Sequence, residues 1–105
     1  MTDEIERSGG NVFADLELPD PNEHRLKAWI VAHVAQRMRA DGLTQAQAAE
    51  RMGLKQPDLS AVLNGRFRGY SALRLARCLS ALGDEVRLAV RSAAGEEDAF
   101  VVEAA

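Results

Sequence analysis

The chain has 105 residues, 47% hydrophobic and 28% charged, with a net charge of −3, which is enough apolar material for one core and too little chain for two domains. Its apolar runs fall far short of the roughly 20 residues that span a bilayer, and the acidic start Met1-Thr-Asp-Glu4 does not read as a secretory signal. A single cysteine, Cys78, excludes an internal disulfide and a cysteine metal set, so the expectation is a cytoplasmic protein that gains stability from oligomerisation.

Residues 1–18 read as an N-terminal arm. Met1 to Gly10 is poor in apolar residues and ends in Ser8-Gly9-Gly10. From about residue 11, Val12, Phe13, Leu16 and Leu18 predict partial order, because that many apolar side chains need something to pack against.

A domain is expected over 19–91. Asp20 is placed to cap a first helix, with Pro21 at its first position and Glu23 at capping-box spacing. Leu26, Ile30 and Val34, with Trp29 and Met38 alongside, recur at helical spacing and predict its buried face. Gly42 is the expected terminator. A short second helix follows, with Thr44 as N-cap, Gln47 as its capping-box partner and Gly53 as its end. The third helix starts around Gln56-Pro57 and runs to Asn64 before Gly65. The fourth starts after Ser71 and passes Leu73, Leu75, Leu79 and Leu82 to reach Gly83.

Beyond Gly83, residues 85–91 alternate strictly. Val86, Leu88 and Val90 lie on one side and Arg87 and Arg91 on the other, the pattern of a half-buried strand. Residues 92–105 are an acidic tail or a second strand around Ala99-Phe-Val-Val102. A lone strand is an unpaired edge and is unstable in water. It is expected to pair either with 99–102 or with its own copy across a two-fold axis. In the second case Val86, Leu88 and Val90 are dimer residues. The fold class is mostly α, four to five helices with a short C-terminal β-strand or hairpin.

The charge is divided along the chain. Residues 1–20 set Arg7 against six carboxylates, and residues 92–105 carry four carboxylates and no cation, whereas residues 21–91 hold 12 basic and 6 acidic side chains. A basic centre between acidic ends suits phosphate binding by the centre; an ordinary solvated surface with segregated charges reads the same way.

The details of residues 44–65 separate a helix-turn-helix from a generic helical corner. Close crossing of two short helices needs a small residue on the first, a glycine at the turn and branched apolar residues on the inner side of the second. Ala49, Gly53, Leu59 and Val62 supply these at offsets of 4, 10 and 13 from Ala49.

The run Leu43-Thr-Gln-Ala-Gln-Ala-Ala-Glu-Arg-Met-Gly-Leu-Lys-Gln-Pro-Asp-Leu-Ser-Ala-Val-Leu-Asn-Gly-Arg66 resembles the Xre/Cro-repressor class of helix-turn-helix proteins. Gly10-Asn-Val-Phe-Ala-Asp-Leu16, Asn64-Gly-Arg-Phe-Arg-Gly-Tyr-Ser71 and Leu79-Ser-Ala-Leu-Gly-Asp-Glu-Val86 are similar to a subgroup of small Xre-type proteins. That subgroup includes HigA-like antitoxins paired with RelE/HigB-like ribonuclease toxins, and plain regulators as well.

The resemblance, carried over by position, implies that Gln56 reads a base, its amide suiting adenine N6 and N7. Asp58 and Ala61 take the next exposed positions. Asp58 accepts from cytosine N4 or favours the helix N-terminus, and Ala61 offers a methyl contact to thymine. Gln45 matches a phosphate contact at the start of the second helix. Lys55 departs from the Ser or Thr cap of many relatives and adds a cation. Asn64, Arg66 and Arg68 are placed to clamp the same strand. Phe67 is expected to pack in the core against the fourth helix, and Tyr70 either packs or faces DNA.

Nothing calls for catalysis. His24 and His33 lack a third ligand, so no metal site is expected. Cys78 has no catalytic partner and reads as a small buried side chain. The glycines end helices and form no phosphate loop, and no cofactor is expected. The implied function is a sequence-specific repressor that binds a palindromic operator in double-stranded DNA as a homodimer. Its subgroup implies an autoregulating antitoxin that holds a small toxin through Val12, Phe13 and Leu16 or through the acidic C-terminal end. The alternatives are a stand-alone Xre-type regulator and an interaction module that has lost DNA binding, the latter favoured by the net negative charge.

Overall fold

Three of the four helices among the described residues start at a side chain that answers orphan amides. A computed structural model describes residues 20–104; the arm expected over 1–18, with Val12, Phe13 and Leu16, lies outside them. Helix α1 (Pro21–Asp41) begins where the Asn22 N–H donates to the Asp20 carboxylate at 2.9 Å. Gly42 closes it at φ +63, its N–H donating to the carbonyls of Met38 and Arg39. Helix α2 (Gln45–Met52) carries the full capping box. Thr44 N–H donates to Gln47 Oε1 at 2.9 Å, and Gln47 N–H donates to Thr44 Oγ1 at 3.1 Å. Helix α3 (Gln56–Leu63) follows after three residues, and α4 (Ala72–Ala81) starts under the Ser71 hydroxyl, which accepts from the Arg74 N–H.

The four helices of the described residues enclose one core. Ile30, Val31, Val34 and Met38 of α1 meet Leu75, Ala76 and Leu79 of α4, with Leu82 below them. Ala48 and Ala49 of α2 and Leu59 and Val62 of α3 close the other side. No polar or charged side chain is buried among the described residues, so the core needs no internal hydrogen bonds.

The buried face of α1 differs from expectation. Ile30, Val34 and Met38 are buried, but Leu26 and Trp29 are exposed, Trp29 at 60%, and Val31 is buried in their place. The helices packed on α1 cover Ile30, Val31, Val34 and Met38 and leave Leu26 and Trp29 in solvent. Leu73 is likewise exposed.

The chain ends in a hairpin. Strand β1 (Val86–Arg91) pairs antiparallel with β2 (Glu97–Val102) in the register Val86↔Val102, Leu88↔Phe100, Val90↔Asp98. The pairing is therefore within the chain. Its base is fixed: Val102 is buried, Val86 is half-buried, and the Ser80 hydroxyl donates to the Val102 carbonyl at 3.1 Å. The expected half-buried strand is not found beyond that base. Leu88 and Val90 are 68% and 66% exposed, because the hairpin runs past the helices that would cover them.

Arg37 ties α1 to the entry of the hairpin. Its Nε donates to Asp84 at 2.7 Å and its Nη1 to Asp41 at 3.2 Å. The bond to Asp84 first, then the bond to Asp41, raise the guanidinium pKa above its ordinary value.

Candidate nucleic-acid interface

Helices α2 and α3 meet across Gly53-Leu54-Lys55. Gly53 adopts φ +73, and the Leu54 N–H donates back to the Ala49 carbonyl at 2.9 Å. A left-handed residue here is what turns the chain within one step, and glycine takes that conformation without a Cβ penalty. Ala49, Leu59 and Val62 are each no more than 2% exposed. The four positions read as the helix-turn-helix core are thus brought together: the inner sides of both helices are packed, and the small Ala49 lets them approach.

Packing the inner side of α3 turns its other side outward. Gln56 and Asp58, in the first turn, are exposed, and Ala61 is half-buried. Lys55 occupies the N-cap and makes no side-chain cap bond, so its ammonium is left exposed at the start of α3. Gln45 sits half-buried at the start of α2.

The loop after α3 is held by a ring. Gly65 takes φ +94, and the Arg66 N–H donates to the Ala61 carbonyl at 2.9 Å. Phe67 is 5% exposed and joins the core, where it stacks on the His24 imidazole of α1. Arg66 and Arg68 on either side are exposed. The alternation of cation and aromatic in this loop therefore has a mechanical meaning: the ring is an anchor and the guanidinium groups flank it. Asn64 is partly engaged, its amide donating to the Ser60 carbonyl at 2.9 Å.

Sequence reasoning passed over Arg74. Its guanidinium lies 4.7 Å from the centroid of the Tyr70 ring, a cation–π contact that holds an exposed cation at the end of the loop carrying Arg66 and Arg68. The spacing of four residues between Tyr70 and Arg74 was the available signal.

Cys78 is buried, as its place among the apolar positions suggested. Burial pushes its thiol pKa up, against a smaller downward pull from Arg74. Among the described residues there is no cluster of three His, Cys, Asp or Glu side chains able to hold a metal ion, and no helix is long and apolar enough to cross a membrane.

Residues 12–91 match a family model described as a helix-turn-helix domain. No curated protein and no solved structure matches the chain.

Proposed function

The chain belongs to the helix-turn-helix domain family, and on that premise we propose that it is a sequence-specific double-stranded DNA-binding repressor in which α3 is the recognition helix. One observation carries the reading. The exposed first turn of α3, with Gln56 and Asp58, stands between cations on both sides, Lys55 before it and Arg66 and Arg68 after it. Side chains that can read base edges are thereby flanked by groups that can grip phosphates.

Gln56 is the leading base reader, with Asp58 and Ala61 beside it. Gln45, Lys55, Asn64, Arg66, Arg68 and Arg74 position the helix on the backbone. The protein acts as a homodimer on a palindromic operator, with two recognition helices about 34 Å apart. The finer reading is an autoregulating antitoxin with a small toxin partner. It is supported by the resemblance of the segments around Phe13, Phe67 and Leu82 to HigA-like proteins.

The test is fluorescence anisotropy on the duplex upstream of the chain's own gene, over a salt series. Tight binding whose log K falls with log salt by about 0.9 per phosphate neutralised is expected. Binding no better than to random duplex, with or without the neighbouring gene product, overturns the reading.

A further inference from the structure

We propose that residues 12–18 of this chain fold back along α1 and cover the flank that carries Leu26 and Trp29. The proposal stands apart from the DNA-binding reading, since it concerns the side of α1 and not the recognition helix.

Leu26, Trp29 and His33 follow one another at intervals of three and four residues, so they form one stripe along α1. Leu26 is 46% and Trp29 60% exposed, and the indole meets the His33 ring edge on, with centroids 4.7 Å apart. Two hollows lie along this stripe and share Trp29. The first is lined by Asp20, Arg25 and Leu26, and the second by His33, Glu85 and Val86 at the base of the hairpin. Together they make one groove from the start of α1 to the hairpin.

The chain itself enters at one end of that groove. Asp20 lines the first hollow and is extended, with φ −67 and ψ 115. Pro21 stops the helix from running further back, so the segment before Asp20 leaves the axis of α1 beside the groove. That segment carries Val12, Phe13, Leu16 and Leu18, and it has the reach. At 1.5 Å per residue, Trp29 lies about 13 Å and His33 about 20 Å along α1 from Asp20. Residues 12–18 span about 20 Å when extended, and at a helical rise Val12 still stands about 12 Å from Asp20. Either way the apolar side chains fall on the stretch between Leu26 and His33.

Charge agrees with this direction. Asp15 and Glu17 would lie near the start of α1, where a helix N-terminus favours anions. Glu23 there is already met by Lys27 at 3.7 Å. Arg25 donates to the neutral Asn22 side chain at 3.0 Å and pairs with no carboxylate among the described residues. The far hollow holds Asp84 and Glu85, and residues 8–14, which would come nearest to them, carry no charge.

Tethering selects this occupant over a second molecule. A segment held next to the groove by a short linker acts there at an effective concentration on the order of millimolar. A free copy competing at micromolar levels would need a contact about a thousandfold tighter to displace it.

Trp29 is the one tryptophan of the chain, so its fluorescence reports on the groove directly. In the full chain its emission should lie to the blue of a solvated indole and should not depend on protein concentration. Phe13→Glu and Leu16→Glu should each shift the emission to the red and make it easier to quench with acrylamide. Helical circular dichroism should be retained, because this flank is outside the buried core. Ile5→Glu, outside the segment, should change neither reading. If either Glu variant unfolds, cross-linking decides. Ala14→Cys with Leu26→Cys should be joined by a short bismaleimide within a single 11.4 kDa chain, and Ala14→Cys with Ala89→Cys should not.

A fully solvated Trp29 in the full chain, unmoved by both Glu substitutions, overturns the proposal. Shielding that appears only as concentration rises, or cross-links that join two chains, gives the groove to a second copy and overturns it too. So does shielding that appears only when the neighbouring gene product is added. Failure of the DNA reading is distinct, since it would leave the Trp29 response intact and show only in duplex binding.

Discussion

The imidazole of His24 stacks on the ring of Phe67, with centroids 5.1 Å apart and planes inclined by 28°. The contact joins the first turn of α1 to the loop after α3, two segments more than forty residues apart in the chain. Because Phe67 is buried and its neighbours Arg66 and Arg68 are exposed, the ring fixes where those two cations stand relative to α3.

Phe67→Ala should therefore cost about 3–5 kcal/mol, the loss typical of removing a core aromatic ring, measured by urea denaturation. Phe67→Leu should cost less and still weaken duplex binding, because the loop that carries Arg66 and Arg68 loses its stack on His24. An unchanged denaturation midpoint in Phe67→Ala would contradict the anchoring role.

Gly53 isolates a backbone effect. It sits at φ +73, and an added Cβ would meet nothing within 4 Å. Space is not what requires glycine here; the left-handed conformation is. Gly53→Ala should destabilise by about 1–2 kcal/mol, and Gly53→Asn by less, because asparagine tolerates that region better. Equal losses in the two variants would point to a contact instead.

Thr44 carries one half of the capping box on α2. Thr44→Ala should cost about 1 kcal/mol and lower Tm by about 4–8 °C by calorimetry. Thr44→Ser should keep most of the stability, since it preserves the oxygen that accepts from the Gln47 N–H.

Cys78 should behave as a neutral, protected thiol. Burial raises its pKa in the folded chain, so its contribution to stability is complete below the unfolded thiol value of about 8.5. That contribution is lost as pH rises through the folded value. A thiol reagent should react slowly with the native chain and quickly in denaturant, and Cys78→Ala should flatten the alkaline loss of stability. Rapid modification of the native chain at neutral pH would refute this.

On DNA the two classes of contact should separate. Gln56→Ala should relax discrimination at one base pair by about 1–3 kcal/mol. Lys55→Ala and Arg66→Ala should each weaken binding evenly across sequences and reduce the salt slope by about 0.9. The opposite pattern would exchange the roles assigned to these residues.

What the sequence determined by itself was local. Asp20, Thr44 and Ser71 announce helix starts because each caps amides two or three residues ahead. Gly42 and Gly53 announce ends because the left-handed turn is a property of one residue. The helix-turn-helix core was legible for the same reason, since Ala49, Gly53, Leu59 and Val62 lie within one short run.

Only the tertiary structure decided which flank of each apolar stripe is covered. Helical spacing marks Leu26, Trp29, Ile30, Val34 and Met38 alike, and the packing of the other helices buries Ile30, Val34 and Met38, adds Val31 and leaves Leu26 and Trp29 exposed. Alternation in β1 names one face, but the length of the helical body sets where burial stops, after Val86 and before Leu88. The pairing of Phe67 with His24 belongs to the same class, because a contact between distant segments exists only once the core has placed both.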